Sequence, residues 1–121
     1  MQIVTPMAEA LNRYLDLSSL ELKLTAQNMA NVDTPGYRTV GFDFAEEMSR
    51  SLEGSGGAEG PDAPAHTGLV DGLLERPDGN NVSMDREGMK MAEAQLQFQT
   101  GVALLKHEFS RVEDAIRDDQ K

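Results

Sequence analysis

The sequence contains no cysteine and no tryptophan, and aromatic residues make up only 5% of its 121 residues. Without cysteine, the chain has no disulfide framework, no thiol catalysis and no cysteine-based zinc site. With so few aromatic residues, a core must be built from Leu, Met, Val and Ala, which favours packed helices over a thick β-sandwich. The length is enough for one domain but not for two well-cored ones.

Basic residues are also scarce, with 11 Lys and Arg against 21 Asp and Glu, a formal net charge of −10. Nucleic acids and anionic membranes both require a basic surface, so neither is an expected partner. The sequence also lacks a stretch apolar enough to span a bilayer. Its N-terminus does not have the basic start and apolar run of a cleaved secretory signal.

Residues with catalytic potential are scattered. His66 and His107 each lack a second histidine nearby, so a metal site or a histidine-based triad is not predicted. The adjacent pairs Glu46–Glu47 and Asp118–Asp119 are interpreted as solvated charges without a tuned pKa. We therefore predict no enzymatic activity, no cofactor and no small-molecule substrate.

A first helix is predicted from Thr5 to Asn31. Thr5 is a suitable N-cap, and Pro6 falls at the first helical position, where its missing N–H costs nothing. A second apolar stripe lies nearly opposite the main one, so something beyond a single partner helix must cover it, and we assign it to contacts between subunits. The main stripe contains Ala8, Leu11, Leu15, Ser18, Leu22, Thr25 and Met29, and the second contains Leu17, Leu20 and Leu24.

A longer helix is predicted from Ser83 to Arg117, with Ser83 as its N-cap. Its apolar positions step alternately by three and four residues, which is a heptad seam. A helix of this length would extend about 50 Å, so the molecule should be a rod. The predicted seam contains Gly88, Met91, Gln95, Phe98, Val102, Leu105, Phe109, Val112 and Ile116.

The middle third is acidic and rich in glycine and proline. A short extended piece and one or two helical turns are predicted near its start, and residues 54–68 are predicted to form a mobile loop. The expected fold is all-α, an elongated antiparallel pair of terminal helices. Its parts are residues 1–38, a variable segment 39–81, and residues 82–121.

The first helix is followed by the octapeptide ANVDTPGY, which has the properties of a helix stop. Asn31 can adopt a left-handed cap, and Pro35-Gly36 suits the centre of a type II turn with positive φ at glycine. The residues singled out are Ala30, Asn31, Thr34, Pro35, Gly36 and Tyr37.

This octapeptide resembles the ANxxTPGY signature of flagellar rod, hook and related axial proteins. The segment DGNNVSMDREGMKMAEAQLQFQTGVALLKHEFSRVEDAI, residues 78–116, resembles the C-terminal region of the proximal rod protein family, FlgB. Together the two matches cover about two-thirds of the chain. The acidic centre matches nothing that we can name.

The resemblance implies a structural subunit of the flagellar basal-body rod that transmits torque from motor to hook. It implies export through the flagellar type III apparatus without a cleaved signal, and assembly in the periplasm. The implied partners are further copies, other rod proteins, a basal-body adaptor protein and components of the membrane ring and export gate. The alternatives are another small axial protein and a cytosolic coiled-coil adaptor.

Overall fold

The computed structural model describes residues 5–53 and 63–120, so most of the predicted mobile loop lies outside the described residues. The chain folds into α1 (Pro6–Ala30), β1 (Val40–Gly41), α2 (Phe44–Glu53), β2 (Gly68–Leu69) and α3 (Met84–Asp118). The strands have two residues each, so the predicted all-α architecture with long terminal helices is confirmed. None of the helices in the described ranges combines the length and apolarity needed to cross a membrane.

The beginning of α1 follows the local signals. The Thr5 hydroxyl accepts a hydrogen bond from the Ala8 amide at 3.0 Å, and Pro6 is the first helical residue. The end differs from expectation, because Asn31 has φ −104° and ψ 16° rather than a left-handed conformation. Its side-chain amide donates to the Gln27 carbonyl at 2.8 Å, so a side chain satisfies a carbonyl of the last turn.

Helix α3 lies antiparallel to α1. The Asn28 side chain near the end of α1 contacts Glu87 near the start of α3, and Thr5 at the beginning of α1 contacts Glu108. Ser83 caps α3 as predicted, with its hydroxyl accepting from the Arg86 amide at 3.3 Å. With 35 residues, α3 is about 52 Å long.

Along the predicted seam of α3 some residues are half-buried and others exposed, and the deeply buried residues are a different set. Met91, Leu105 and Val112 are half-buried, as a seam requires. Val102 is half-buried, but the deeply buried residue is its neighbour Gly101, and Phe109 is 54% exposed beside buried Glu108. Phe98 is also more than a third exposed. The buried residues of α3 recur every seven positions, at Glu87, Ala94, Gly101 and Glu108.

The difference has a steric cause, since small residues let the two helix axes approach closely. A Cβ atom built on Gly101 would lie 2.8 Å from Leu15 Cδ2 and 3.0 Å from Tyr14 Cδ1. Real Cβ atoms are not found as close as 2.8 Å, so the Leu15 side chain would have to shift to admit a side chain at residue 101. A search of the sequence for a repeat of large apolar residues therefore does not identify Gly101 as buried.

Gly88 and Gly101 allow a matched test of that contact. Both lie within α3, but a Cβ on Gly88 would meet nothing within 4 Å. Gly88→Ala should therefore stabilise the protein by about 1 kcal/mol through helix propensity. Gly101→Ala has the same propensity gain but also an overpacking cost of about 1–3 kcal/mol, so it should be the less stable variant by that amount. Urea denaturation of both proteins measures the difference, and equal stabilities would contradict the close contact.

The main stripe of α1 is buried or half-buried along its whole length, as predicted. The second stripe is not left uncovered, because Leu17 is only 1% exposed within a single chain. It lies one turn beyond Arg13 and Tyr14, both of which contact α2. In the single chain Leu17 is therefore not open to other subunits, and its assignment to a contact between subunits stays a prediction. Leu20 and Leu24 are half-buried.

The last part of α3 continues past the described part of α1, which begins at Thr5 beside Glu108. We call residues 109–118 the overhang. Phe109 and Ile116 are 54% and 44% exposed, and Val112 is half-buried. These residues were predicted to face α1, but the described α1 does not reach that far, so their stripe remains partly open.

The middle segment returns along the helix pair. β1 and β2 pair antiparallel, with Val40 opposite Leu69 and Gly41 opposite Gly68. Next to them, a cleft of about 760 Å³ is bounded by residues of both strands, α1 and α3, and Leu24 is part of its wall. Two leucines of this returning segment, Leu69 and Leu74, are 64% and 91% exposed.

Candidate functional site

The octapeptide after α1 forms a tight turn. The Tyr37 amide donates to the Thr34 carbonyl at 3.2 Å, which places Pro35 and Gly36 at the centre. Gly36 has φ +75°, as predicted for the glycine of a type II turn. Thr34, Pro35 and Gly36 are exposed at the tip, whereas Tyr37 is half-buried.

A second turn precedes α3. The Gly79 amide donates to the Arg76 carbonyl at 2.9 Å, and the Arg76 amide donates to the Asn80 carbonyl at 2.8 Å. Gly79 has φ +86°, a conformation that L side chains rarely adopt. The sequence DGNN therefore forms a tight turn before α3.

The two turns interlock through their backbones. The Gly36 amide donates to the Asp78 carbonyl at 2.9 Å, and the Asn81 amide donates to the Tyr37 carbonyl at 3.3 Å. A Cβ on Gly79 would lie 3.3 Å from Gly36 Cα, so the two glycines permit this approach. The two family motifs, about forty residues apart in the sequence, thus form one structural unit, which we call the turn junction (residues 31–40 and 76–82).

Two asparagines of the DGNN segment hold the two turns together through side-chain hydrogen bonds. The side-chain amide of Asn80 donates to the carbonyls of Asn31 and Thr34, both at 2.9 Å, and Asn80 is fully buried. The Asn81 side-chain oxygen accepts from the Thr39 amide at 2.7 Å. The Asn31 and Thr34 carbonyls also accept from backbone amides, so Asn80 gives each a second hydrogen bond, and Asn81 pairs the Thr39 amide.

Asn28 connects the junction to both long helices. Its Nδ2 donates to the Val40 carbonyl at 2.8 Å and to Glu87 Oε2 at 3.1 Å. Its Oδ1 accepts from the Tyr37 hydroxyl at 2.9 Å and from the Val40 amide at 3.0 Å. Asn28 is 1% exposed and uses both donors and both lone pairs of its amide. Arg86 Nη1 donates to the other oxygen of Glu87 at 2.7 Å.

The residues that build the junction were only partly expected. The sequence motif identified the turn residues, but it gave no role to Asn28, Asn80, Asn81 or Glu87. A signal existed for Asn28, which lies three residues after Thr25 on the buried stripe. An amide in that position needs polar partners, and the turns on either side could supply them. In the described residues, every buried side-chain nitrogen and oxygen has a hydrogen-bond partner.

A separate polar cluster surrounds Glu47 of α2. This carboxylate is 4% exposed, so the expectation that it points into water is wrong. Its Oε1 accepts from the His66 backbone amide at 3.1 Å and from Arg50 Nη1 at 2.9 Å, and its Oε2 lies 3.8 Å from Arg13 Nη2. His66, placed by sequence in a mobile loop, is therefore held against α2.

The pKa values of two carboxylates are shifted in opposite directions. Burial alone would raise the pKa of Glu47, but hydrogen bonds from the His66 backbone and ring and the charge of Arg50 bring the pKa below 4.5. Ionised Glu47 therefore stabilises the fold at neutral pH, and this contribution disappears as the pH falls through its lowered pKa. Burial raises the pKa of Glu21 despite Lys90 at 3.9 Å, so ionised Glu21 reduces stability at neutral pH.

The opposite end of the helix pair is held by a third polar contact. The Thr5 hydroxyl donates to Glu108 Oε1 at 3.0 Å, and Arg111 Nη2 lies 3.1 Å from both oxygens of this carboxylate. A negative charge is favourable there because the first turn of α1 carries the positive end of the helix dipole. Within residues 5–53 and 63–120, no three His, Cys, Asp or Glu side chains are grouped to hold a metal ion.

Comparison with known proteins agrees with these motifs. The chain is 36% identical over 112 residues to the flagellar basal body rod protein FlgB of Salmonella typhimurium, covering 75% of this chain and 78% of that protein. The chain belongs to the FlgB family. The Cereibacter sphaeroides FlgB is 35% identical over 104 residues, covering 78% and 80% of the two chains. The Escherichia coli FlgB is 31% identical over 108 residues, covering 75% and 78%. No protein-family model matches the chain.

Proposed function

We propose that this FlgB-family chain is a structural, non-enzymatic subunit of the bacterial flagellar basal-body rod, and that it polymerises through α1 and α3. The observation that carries the proposal is the turn junction, in which the ANVDTPGY turn and the DGNN turn form one unit. Its relatives are named as flagellar basal body rod proteins over about three-quarters of this sequence.

The architecture supports a role in transmitting torque. A junction fixed by several directional hydrogen bonds resists twisting of the two helices relative to each other. The contact between Glu108 and Thr5 does the same at the far end of α1. Such a pair suits a component that passes rotation from the motor to the hook.

The proposed setting is the periplasmic part of the basal body, reached through the flagellar type III export apparatus without a cleaved signal. The proposed partners are further copies of the chain and other rod proteins, with an adaptor protein and the membrane ring and export gate at the base. The exposed Thr34-Pro35-Gly36 tip and the overhang are the surfaces at the two ends of the helix pair.

Deletion and complementation in the source bacterium test this role. We expect deletion to abolish motility and to remove the rod from basal bodies viewed by electron cryomicroscopy. The wild-type chain should restore both, and Asn80→Ala should restore them poorly because Asn31 and Thr34 lose their shared donor. Asn12→Ala, an exposed change on α1, is the matched control. Normal rods in the deletion strain would refute the proposal, and a cytosolic location would favour the coiled-coil adaptor.

A further inference from the structure

Helix α2 has a single buried residue, fewer than either long helix, and that residue is the charged Glu47. Among the helices and strands of the described residues, α2 packs against α1 alone. Its apolar residues Phe44 and Met48 are only half-buried, and Leu52 is 63% exposed. A helix of ten residues is also too short to be stable in water by itself. The position of α2 therefore depends on the few contacts that Glu47 and its neighbours make.

The Glu47 carboxylate connects three parts of the chain. Its Oε2 lies 3.8 Å from Arg13 Nη2 on α1, and its Oε1 accepts from Arg50 Nη1 on α2 at 2.9 Å. Its Oε1 also accepts from the backbone amide of His66 and lies near the ring Nδ1 of this residue, both at 3.1 Å. Glu46 binds the far side of the Arg50 guanidinium. One negative charge thus faces cationic or titratable groups of α1, of α2 and of the returning chain.

Arg13 adds to the dependence on this charge. It is 9% exposed, and its Nε donates to Ser51 Oγ at 3.0 Å, while Ser51 Oγ donates to the Glu47 carbonyl at 3.0 Å. A buried cation whose carboxylate partner becomes neutral is destabilising where it lies. If Glu47 loses its charge, the separation of α2 from α1 lets water reach Arg13. The docked position of α2 is then no longer favoured by Arg13.

The helix pair and the turn junction are held by other contacts. Gly101 packs against Leu15 between the two long helices, and the side chains of Asn28, Asn80 and Asn81 hold the junction. None of these residues belongs to α2. Parts of a protein that are held by different contacts open as separate cooperative units. The helix pair and the junction can therefore keep their contacts when α2 leaves.

We propose that Glu47 is an electrostatic latch, which holds α2 on α1, and that loss of its negative charge releases α2 while the helix pair and the turn junction stay folded. The chain then consists of a stable pair of long helices and a short helix that opens locally. This inference goes beyond the proposed function and concerns the single chain. Its failure would leave the rod assignment to be decided by complementation of motility.

The first test removes the charge in the full-length protein. Glu47→Gln keeps the size of the side chain, and Glu46→Gln changes its exposed neighbour as a matched control. Amide hydrogen exchange in residues 44–53 should become about ten- to a hundredfold faster in Glu47→Gln, the loss expected for hydrogen bonds to a charged group. Residues 6–30 and 84–118 should keep their protection. Glu46→Gln should change the exchange of residues 44–53 by about twofold at most, because it affects a surface ion pair.

A milder variant covers the case in which Glu47→Gln folds poorly. Ser51→Ala leaves the Glu47 carboxylate in place but removes the hydroxyl that accepts from Arg13 Nε. The exchange of residues 44–53 should again increase, by less than in Glu47→Gln, since a neutral acceptor contributes less than a charged one.

The second test uses the two tyrosines of the chain as local reporters. The Tyr14 ring meets the Phe44 ring of α2 edge-on, with centroids 5.3 Å apart, whereas the Tyr37 hydroxyl donates to Asn28 in the turn junction. In protein labelled with 3-fluorotyrosine, Glu47→Gln should move the fluorine resonance of Tyr14 toward its value in urea. The resonance of Tyr37 should stay in place.

A pH profile then distinguishes the charge of Glu47 from its shape. Against the effect of burial, hydrogen bonds from His66 and the charge of Arg50 hold the pKa of Glu47 below 4.5. The ionised carboxylate therefore favours the docked state at neutral pH, and this contribution is lost as the pH falls through the lowered pKa. The Tyr14 resonance of the wild type should converge on that of Glu47→Gln in this range, because a protonated carboxyl is as uncharged as an amide.

Each contrary result would overturn the inference for a different reason. Unchanged exchange of residues 44–53 in both Glu47→Gln and Ser51→Ala would show that other contacts hold α2. Loss of protection in all three helices together would show that α2 is not a separate unit. A difference between the Tyr14 resonances of wild type and Glu47→Gln that stays constant at every pH would show that the shape of the side chain, and not its charge, holds α2.

Discussion

Replacing Asn28 with alanine should lower the free energy of unfolding by about 3–5 kcal/mol, because several buried polar groups lose their partner at once. The Val40 amide and carbonyl and the Tyr37 hydroxyl would each lose a hydrogen bond. The Glu87 carboxylate, 1% exposed, would keep Arg86 but lose its second donor.

Asn12→Ala is the matched control, since Asn12 is an exposed residue of the same helix. Its effect on the free energy of unfolding, measured by urea denaturation, should stay within about 0.5 kcal/mol. Asn28→Asp adds a more specific comparison, because it keeps an acceptor for Tyr37 but places a second carboxylate beside Glu87. It should recover stability as the pH is lowered and one of the two carboxylates becomes protonated. A loss below about 1 kcal/mol for Asn28→Ala would mean that the network contributes little.

Leu17→Ala should also destabilise the isolated chain strongly, by about 2–5 kcal/mol, because it creates a cavity at a residue that is 1% exposed. The measurement is urea denaturation of dilute protein, confirmed as monomeric by sedimentation. Leu96→Ala, at a position 66% exposed on α3, is the control and should change stability by no more than about 0.5 kcal/mol.

The result for Leu17 separates two interpretations of the second apolar stripe. If the stripe is completed only by other subunits, the monomer should tolerate the change and only assembly should suffer. If α2 and α1 bury Leu17 within one chain, the monomer itself should lose stability. Equal stability of wild type and Leu17→Ala in dilute solution would favour the first interpretation and contradict the burial described above.

The sequence predicted the helix ends well because they depend on neighbouring residues. Thr5 with Pro6, and Ser83 with the acids that follow it, are local signals that do not require knowledge of the fold. The same holds for the positive φ of Gly36. The prediction of a left-handed conformation for Asn31 was wrong, because a side-chain hydrogen bond to Gln27 can end a helix as well as a left-handed residue can.

The seam and the polar sites could not be predicted in the same way. Periodicity detects large apolar residues, whereas the centre of the α3 seam is formed by Ala94 and Gly101. The burial of Glu47 depends on Arg13, far from it in sequence, and on the return of the chain at His66. In the sequence, Glu46 and Glu47 are two adjacent acids in a polar segment, and nothing there indicates either contact. Two solvated charges were therefore the simplest interpretation.

The composition of the buried positions has a thermal consequence. Among the described residues, four buried side chains are hydrophobic and ten are polar or charged. Exposing apolar surface raises the heat capacity on unfolding, whereas exposing polar surface lowers it. A core of this kind should therefore give a small heat-capacity increment and a shallow stability curve. The free energy of unfolding of the helix pair would then change little between cold and warm surroundings.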